Sequence, residues 1–360
     1  MKKIGVLTGG GDCPGLNPAI KAVVNEAHQL EYSVLGVKKG WKGLIENKIE
    51  KNYIQCLTPN DVRTLDRLGG TILGTSRTNP FKSESTEKKL IRNIKRLGLD
   101  AIVAIGGEDT LGVAARLYKK YNFPIVGIPK TIDRDLSETD YTLGFDSAVK
   151  KIMEEIECIR TTAESHERIF VVETMGRHAG HLALVGGLVG GADMILIPEH
   201  DFNIEKVNSL LKRDKRTGKR YSIVVVSEGA KPKNAHEVLL DKDVDEFGHV
   251  RLGGVGDYLA KEIEKGTGLE TRCVVLSHLQ RGGAPSEKDR AMGLYFGAAA
   301  VEAIYYQKYG RMVSVRDSKI ALVDLEDAVK KLQLVDVERD YDTNNYNVKK
   351  RPRIGRYVYL

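Results

Sequence analysis

The stretch Ala101-Ile102-Val103-Ala104-Ile105-Gly106-Gly107-Glu108-Asp109-Thr110 decides how this chain folds. Pro124-Ile125-Val126-Gly127-Ile128-Pro129-Lys130-Thr131-Ile132-Asp133-Arg134-Asp135 repeats its plan. In each, a short apolar run of buried-strand character leads into backbone-freeing residues and carboxylates. Residues 111–118, between them, read as a helix. Strand, turn, helix and strand in this order imply a parallel α/β sheet. In open sheets of that kind, phosphates bind at the turns that succeed strands.

The same grammar extends toward the amino terminus. Residues 4–8 read as a buried strand, followed by Gly9-Gly10-Gly11-Asp12-Cys13-Pro14-Gly15-Leu16-Asn17 and a helical pattern over residues 19–25. Glycines let the backbone approach an anion, and the helix start supplies N–H donors. The loop is not a P-loop, because it lacks a subsequent Gly-Lys-Ser/Thr, and its spacing is not that of the dinucleotide fingerprint. Residues 32–37 read as a second strand, and residues 87–97 as a charged amphipathic helix. The glycine-rich loop 69–77 ends in Arg77, whose planar donor fork suits phosphate.

Beyond Thr142 the texture changes. A long helix (145–163) precedes a strand (169–173) that ends in Thr174-Met175-Gly176-Arg177-His178-Ala179-Gly180. Residues 194–198 read as a further strand and 212–220 as a basic, hairpin-like loop. Strands at 222–226 and 272–277 close on Ser227-Glu228-Gly229 and His278-Leu279-Gln280-Arg281-Gly282-Gly283. The expected architecture is α/β, two-lobed, with doubly wound, mostly parallel sheets. From residue 339 the chain is polar, then basic, and reads as a surface tail.

Composition narrows the function class. The 360 residues are 41% hydrophobic and 29% charged, ordinary for a globular protein. That length exceeds one compact core. No apolar run is long enough to span a bilayer, so no membrane partner is expected. Cys13, Cys56, Cys158 and Cys273 lie far apart with no CxxC pair, which fits a reducing, cytoplasmic setting better than a disulfide framework. A net charge of +7 could suit nucleic acid, but aromatics are only 6% and are not interleaved with basic residues as in a base-stacking surface. Doubly phosphorylated substrates need Lys and Arg as well.

Together, Gly-Gly-Asp-Cys-Pro-Gly-Leu-Asn, Gly-Gly-Thr-x-Leu-Gly-Thr-Ser-Arg, Gly-Gly-Glu-Asp-Thr, Pro-Lys-Thr-Ile-Asp, Met-Gly-Arg and Gln-Arg-Gly-Gly stand in the order they have in phosphofructokinases, and the chain resembles that family over residues 2–337. The resemblance implies phosphoryl transfer to the 1-hydroxyl of fructose 6-phosphate, with Mg²⁺ as cofactor. Asp133 matches the general base. A poorly acidic alcohol must lose its proton as it attacks, which is why a carboxylate stands there. Asp135 and Thr131 would support that site, and Glu108 matches the Mg²⁺-linked carboxylate. Met175, Gly176 and Arg177 match a sugar-phosphate strip. Glu228 would accept from sugar hydroxyls, and His278 and Arg281 would bind the 6-phosphate. Gly11, Arg77 and Arg177 are candidates for the donor phosphates. Arg168 and Arg272 match arginines lent across a subunit interface, which implies a homodimer or homotetramer. The implied lobes are 1–144 with 280–330 for the donor and 145–279 with 331–338 for the sugar phosphate.

Two positions bear on the donor. ATP-using relatives typically carry glycine where this chain has Asp109 and Lys130, leaving room for the nucleotide's α-phosphate. The carboxylate and ammonium resemble the pyrophosphate-dependent branch, with Lys130 expected to neutralise Asp109 and bind pyrophosphate. An ATP-dependent enzyme, a sedoheptulose 7-phosphate acceptor and a catalytically silent sugar-phosphate sensor are the alternatives. Arg134 replaces the family's usual Asn between the two aspartates; it could face solvent, or pair with Asp133 and weaken it as a base. Where bacterial ATP enzymes have an effector pocket, Lys21 and Lys219 keep basic charge but Asn25 and Thr217 do not, so little response to ADP or phosphoenolpyruvate is expected. Cys13 lies at a helix start that favours thiolate, although a buried, inert small residue is the expected reading.

Overall fold

The computed structural model describes residues 2–46, 53–233 and 254–349. Among them, the apolar runs assemble into two main sheets. The larger contains β1 (Lys3–Thr8), β2 (Ser33–Val37), β3 (Ile54–Leu57), β4 (Ala101–Gly106) and β5 (Ile125–Pro129), in the order β5-β4-β1-β2-β3. β6 (Ile169–Thr174), β7 (Met194–Leu196), β8 (Ser222–Ser227) and β9 (Thr271–Val275) form the second sheet, ordered β7-β8-β6-β9 and parallel throughout. β10 (Arg311–Arg316) joins the large sheet parallel to β5, and β11 (Lys319–Asp324) pairs antiparallel on its outer side. On the opposite edge, β3 also runs antiparallel.

β4 and β5 are buried at every position, as strands covered by helices on both faces must be, and this is why their sequences are continuous apolar runs. β1 pairs with β2 on one side and β4 on the other, so the chain reverses direction across the sheet between β1 and β4. The crevice at such a reversal is the expected ligand position in open α/β sheets. The helix Leu16–Gln29 packs closely on the helix Glu287–Tyr305. Contact is backbone to backbone: a Cβ on Gly297 would lie 2.5 Å from the Ala19 carbonyl oxygen.

Three expectations change. The helix after β4 spans Glu108–Tyr121, so Glu108 and Asp109 occupy its first turn, where the helix dipole favours carboxylates. Residues 212–216, expected in a loop, complete the helix Ile204–Arg216. Val207 and Leu211 hold that helix to the core, and Asn203 caps it by accepting from the Lys206 N–H at 2.7 Å. The run Lys212-Arg213-Asp214-Lys215-Arg216 is charged at every position, and this hid the helical periodicity. The tail's first part is packed, because β12 (Tyr341–Asp342) and β13 (Asn347–Val348) form a hairpin beside β7. Tyr341 donates to the Ile195 carbonyl at 2.6 Å, and the Ile195 N–H donates to the Tyr346 carbonyl at 2.7 Å. The basic residues 350–353 lie outside the described residues.

Candidate active site

The carboxyl ends of β1, β4 and β5 in one sheet face those of β6, β8 and β9 in the other across a cavity of about 710 Å³. Its lining includes Gly11 and Arg77, the charged group Glu108, Asp109 and Lys130, and Thr131, Asp133 and Asp135. From the second sheet come Met175, Arg177, Glu228, His278 and Arg281. Gly176 lies between two of these lining residues. Arg168 and Arg272 are not brought to the cavity. Arg168 precedes β6, at the end remote from Met175, and pairs with Glu270 at 2.7 Å; Arg272, on β9, pairs with the same carboxylate.

The glycine loop after β1 is held from both sheets. Lys130, at the end of β5, donates from Nζ to the Gly11 carbonyl at 2.6 Å. Arg281, in the turn Ser277–Arg281 after β9, donates from Nη1 to the Asp12 carbonyl at 3.2 Å. The Arg281 guanidinium crosses so close that a Cβ on Gly11 would lie 2.5 Å from Nη1, so a side chain there would displace it. The Thr75 hydroxyl donates to the Gly10 carbonyl at 2.6 Å, and the Gly10 N–H donates to the Ser76 carbonyl at 3.1 Å. These two bonds place Arg77 at the rim.

Lys130 is buried, and desolvation is the main influence lowering its pKa. Its hydrogen bond goes to Gly11 rather than to Asp109, which corrects the expected ion pair. An ammonium has three donors, and Gly11 takes one of them. Asp109 shares the cavity wall with Lys130.

Asp133 is positioned by a tight local network. Its N–H donates to Thr131 Oγ1 at 3.1 Å, and that hydroxyl donates to Asp135 Oδ1 at 2.9 Å. Burial, then the Asp135 charge, raises the Asp133 carboxyl to about 6, while Arg281, Arg177 and Lys130 oppose the rise. Glu228 is raised to about 7 by burial first and by Asp133 second. The Glu228 N–H donates to the Thr174 carbonyl at 2.8 Å, which ties the end of β8 to that of β6. The Cys13 thiol is fully buried and pushed up to about 12 by desolvation, so it stays protonated and unreactive.

Arg134 does neither of the things its position suggested. Its backbone is left-handed, with φ 54°, and the guanidinium lies 5.3 Å from the Phe145 ring centroid, turned from the cavity. It is not among the leading charges acting on Asp133. Arg134 is therefore not what sets the Asp133 carboxyl.

Sequence reasoning passed over Glu173, Thr174, His178, Asp257 and Ser277, which also line the cavity. Glu173 was detectable: it is a buried carboxylate closing the apolar run of β6. Its Oε2 accepts from the Gly256 N–H at 2.7 Å, at the start of the helix Val255–Thr267. Asp257 and Ser277 carried no comparable sign, because only the packing of sheet ends brings them inward.

The Phosphofructokinase family model matches residues 3–304. The chain belongs to the phosphofructokinase family. It is accordingly a phosphotransferase, with the two-sheet α/β fold of that family. A pyrophosphate–fructose 6-phosphate 1-phosphotransferase from Dictyoglomus thermophilum is 51% identical over 324 residues, covering 90% of this chain and 92% of that protein. An ATP-dependent 6-phosphofructokinase from Mycobacterium tuberculosis (strain ATCC 25618 / H37Rv) is 46% identical over 344 residues, covering 94% and 98%. The crystal structure of a pyrophosphate-dependent phosphofructokinase from Marinobacter aquaeolei superposes with a TM-score of 0.80 over 97% of this chain and 89% of that one. At 24% identity, that likeness speaks for the fold alone. The relatives' names thus divide between two phosphoryl donors.

The residues fit the magnesium that the family uses. Mg²⁺ keeps several waters and takes one or two carboxylates together with substrate phosphates. Glu108 at the cavity wall supplies one such carboxylate, and no ready-made cage of three or more protein ligands is found among the described residues.

Proposed function

We propose that this chain transfers a phosphoryl group from pyrophosphate to the 1-hydroxyl of fructose 6-phosphate, reversibly, giving fructose 1,6-bisphosphate and phosphate in glycolysis or gluconeogenesis. The observation that carries the donor choice is the pair of charged side chains, Asp109 and Lys130, in the wall at the ends of β4 and β5. A nucleotide would bring a further phosphate beside Asp109. Two like charges about 4 Å apart repel by about 4 kcal/mol at an effective dielectric near 20, roughly a thousandfold in affinity. Pyrophosphate has no such group, and the remaining Lys130 donors suit its oxygens.

In this reading Asp133 takes the proton of the 1-hydroxyl as that oxygen attacks. Arg177 and Arg281 flank it, and their charges stabilise its ionised form. Glu228 accepts from sugar hydroxyls, Met175 and Gly176 shape the sugar site, and His278 with Arg281 holds the 6-phosphate. Gly11, Arg77 and Lys130 hold the donor. Glu108 would hold Mg²⁺, whose charge would offset that of the donor phosphates. Arg168 and Arg272 lie away from the cavity of their own chain, which suits arginines lent to a second subunit of a homodimer or homotetramer. The donor lobe comprises residues 1–144 and 280–330 and the sugar lobe 145–279 and 331–338, in a cytoplasmic enzyme.

The test is one assay of the purified chain with Mg²⁺ and fructose 6-phosphate, comparing pyrophosphate with ATP. Turnover with pyrophosphate is expected, and turnover with ATP alone would overturn the donor reading. The ATP-dependent relative, at 46% identity, makes that donor the second reading.

A further inference from the structure

Arg134 leads to a second cavity, of about 210 Å³, that shares no lining residue with the first. Its inner wall is apolar, built from Phe145, Val149 and Met153 of the helix Phe145–His166. Three cations stand around it: Arg134, Lys150 and Lys288. The Arg134 guanidinium and the Lys288 ammonium each lie 5.3 Å from an aromatic ring centroid, Phe145 and Tyr141 respectively. Two carboxylates also border the cavity, and both already accept hydrogen bonds. Asp146 Oδ2 takes the Ser286 hydroxyl at 2.5 Å, and Asp140 Oδ2 takes the Asp317 N–H at 3.1 Å. Lys150 approaches Glu287 only at 3.9 Å, in an exposed pair of little strength.

We propose that this cavity binds a small organic anion with a compact apolar body. The volume is below the ~300–1,000 Å³ of pockets for drug-sized ligands, so the occupant is small. The aromatic and aliphatic wall takes its body, and the three cations take its charged group. Arg134 is covalently placed between Asp133 and Asp135, and its φ of 54° is a left-handed conformation that a non-glycine residue holds only with support.

Phenyl phosphate, titrated into the full chain by calorimetry, tests the proposal without any assay of turnover. Saturable binding is expected, and Lys150→Gln, Lys288→Gln and Arg134→Asn should each weaken it about tenfold, the loss of one charge-assisted hydrogen bond. Lys150 and Lys288 are exposed, so their replacement leaves the core untouched, and Asn tolerates the left-handed backbone at 134. Arg281→Gln, in the first cavity, should leave the affinity unchanged. Absence of saturable binding would overturn the proposal. So would binding that Arg281→Gln abolishes and Lys288→Gln spares, because the probe would then occupy the first cavity.

Discussion

Burial lifts the Asp133 carboxyl to about 6 and that of Glu228 to about 7, so two facing groups change charge close to neutral pH. A general base acts only when ionised. The rate at low sugar-phosphate concentration should therefore rise as pH increases through about 6 and level off above it, in a pH profile of kcat/KM. Asp133→Asn should lower kcat by about 10²–10⁴-fold and remove that limb, with the fold intact by circular dichroism. An unchanged limb in the variant would assign the titration to another group, with Glu228 the first to examine. Arg134 belongs to the same scale. Its side chain leaves Asp133 alone, so Arg134→Asn should leave the position of the limb unmoved.

At the scale of elements, the first turn of the helix Glu108–Tyr121 and the end of β5 together form the cavity wall that carries Asp109 and Lys130. Asp109→Gly with Lys130→Gly should shift the ratio of ATP to pyrophosphate turnover toward ATP. The two changes are expected to act more than additively, because both charges border one space. An unaltered ratio would count against the charge mechanism. The contact between helices Leu16–Gln29 and Glu287–Tyr305 invites a stability test. Gly297→Ala would place a methyl group 2.5 Å from a backbone oxygen, which cannot swing aside as a side chain would. A loss of about 1–3 kcal/mol is expected from denaturant unfolding, as for other overpacked contacts.

Over the whole molecule, the candidate site lies where the ends of two sheets meet, while the lysines matching an effector pocket are already paired. Lys21 is paired with Asp66 at 2.6 Å, and Lys219 with Asp193. ADP or phosphoenolpyruvate should accordingly change the fructose 6-phosphate KM by less than about twofold, since Asn25 and Thr217 add no positive charge beside these paired lysines. A several-fold shift would refute that expectation. The sequence by itself determined the class of strand ends. Apolar runs specify buried parallel strands, and Gly-Gly-Glu-Asp-Thr and Thr-Ile-Asp specify the turns at their carboxyl ends, through backbone geometry local to each turn. It also carried the family, because six such turns in order are a local record. Only the tertiary structure decided which charges meet. The Lys130 bond to Gly11, the outward turn of Arg134, the inward position of Asp257 and the packed hairpin of Tyr341 and Tyr346 all depend on contacts between residues remote in the chain. Hydrophobic periodicity reports which face of an element is buried. It does not report which partner covers that face, and a long side chain chooses its direction only after that partner is in place.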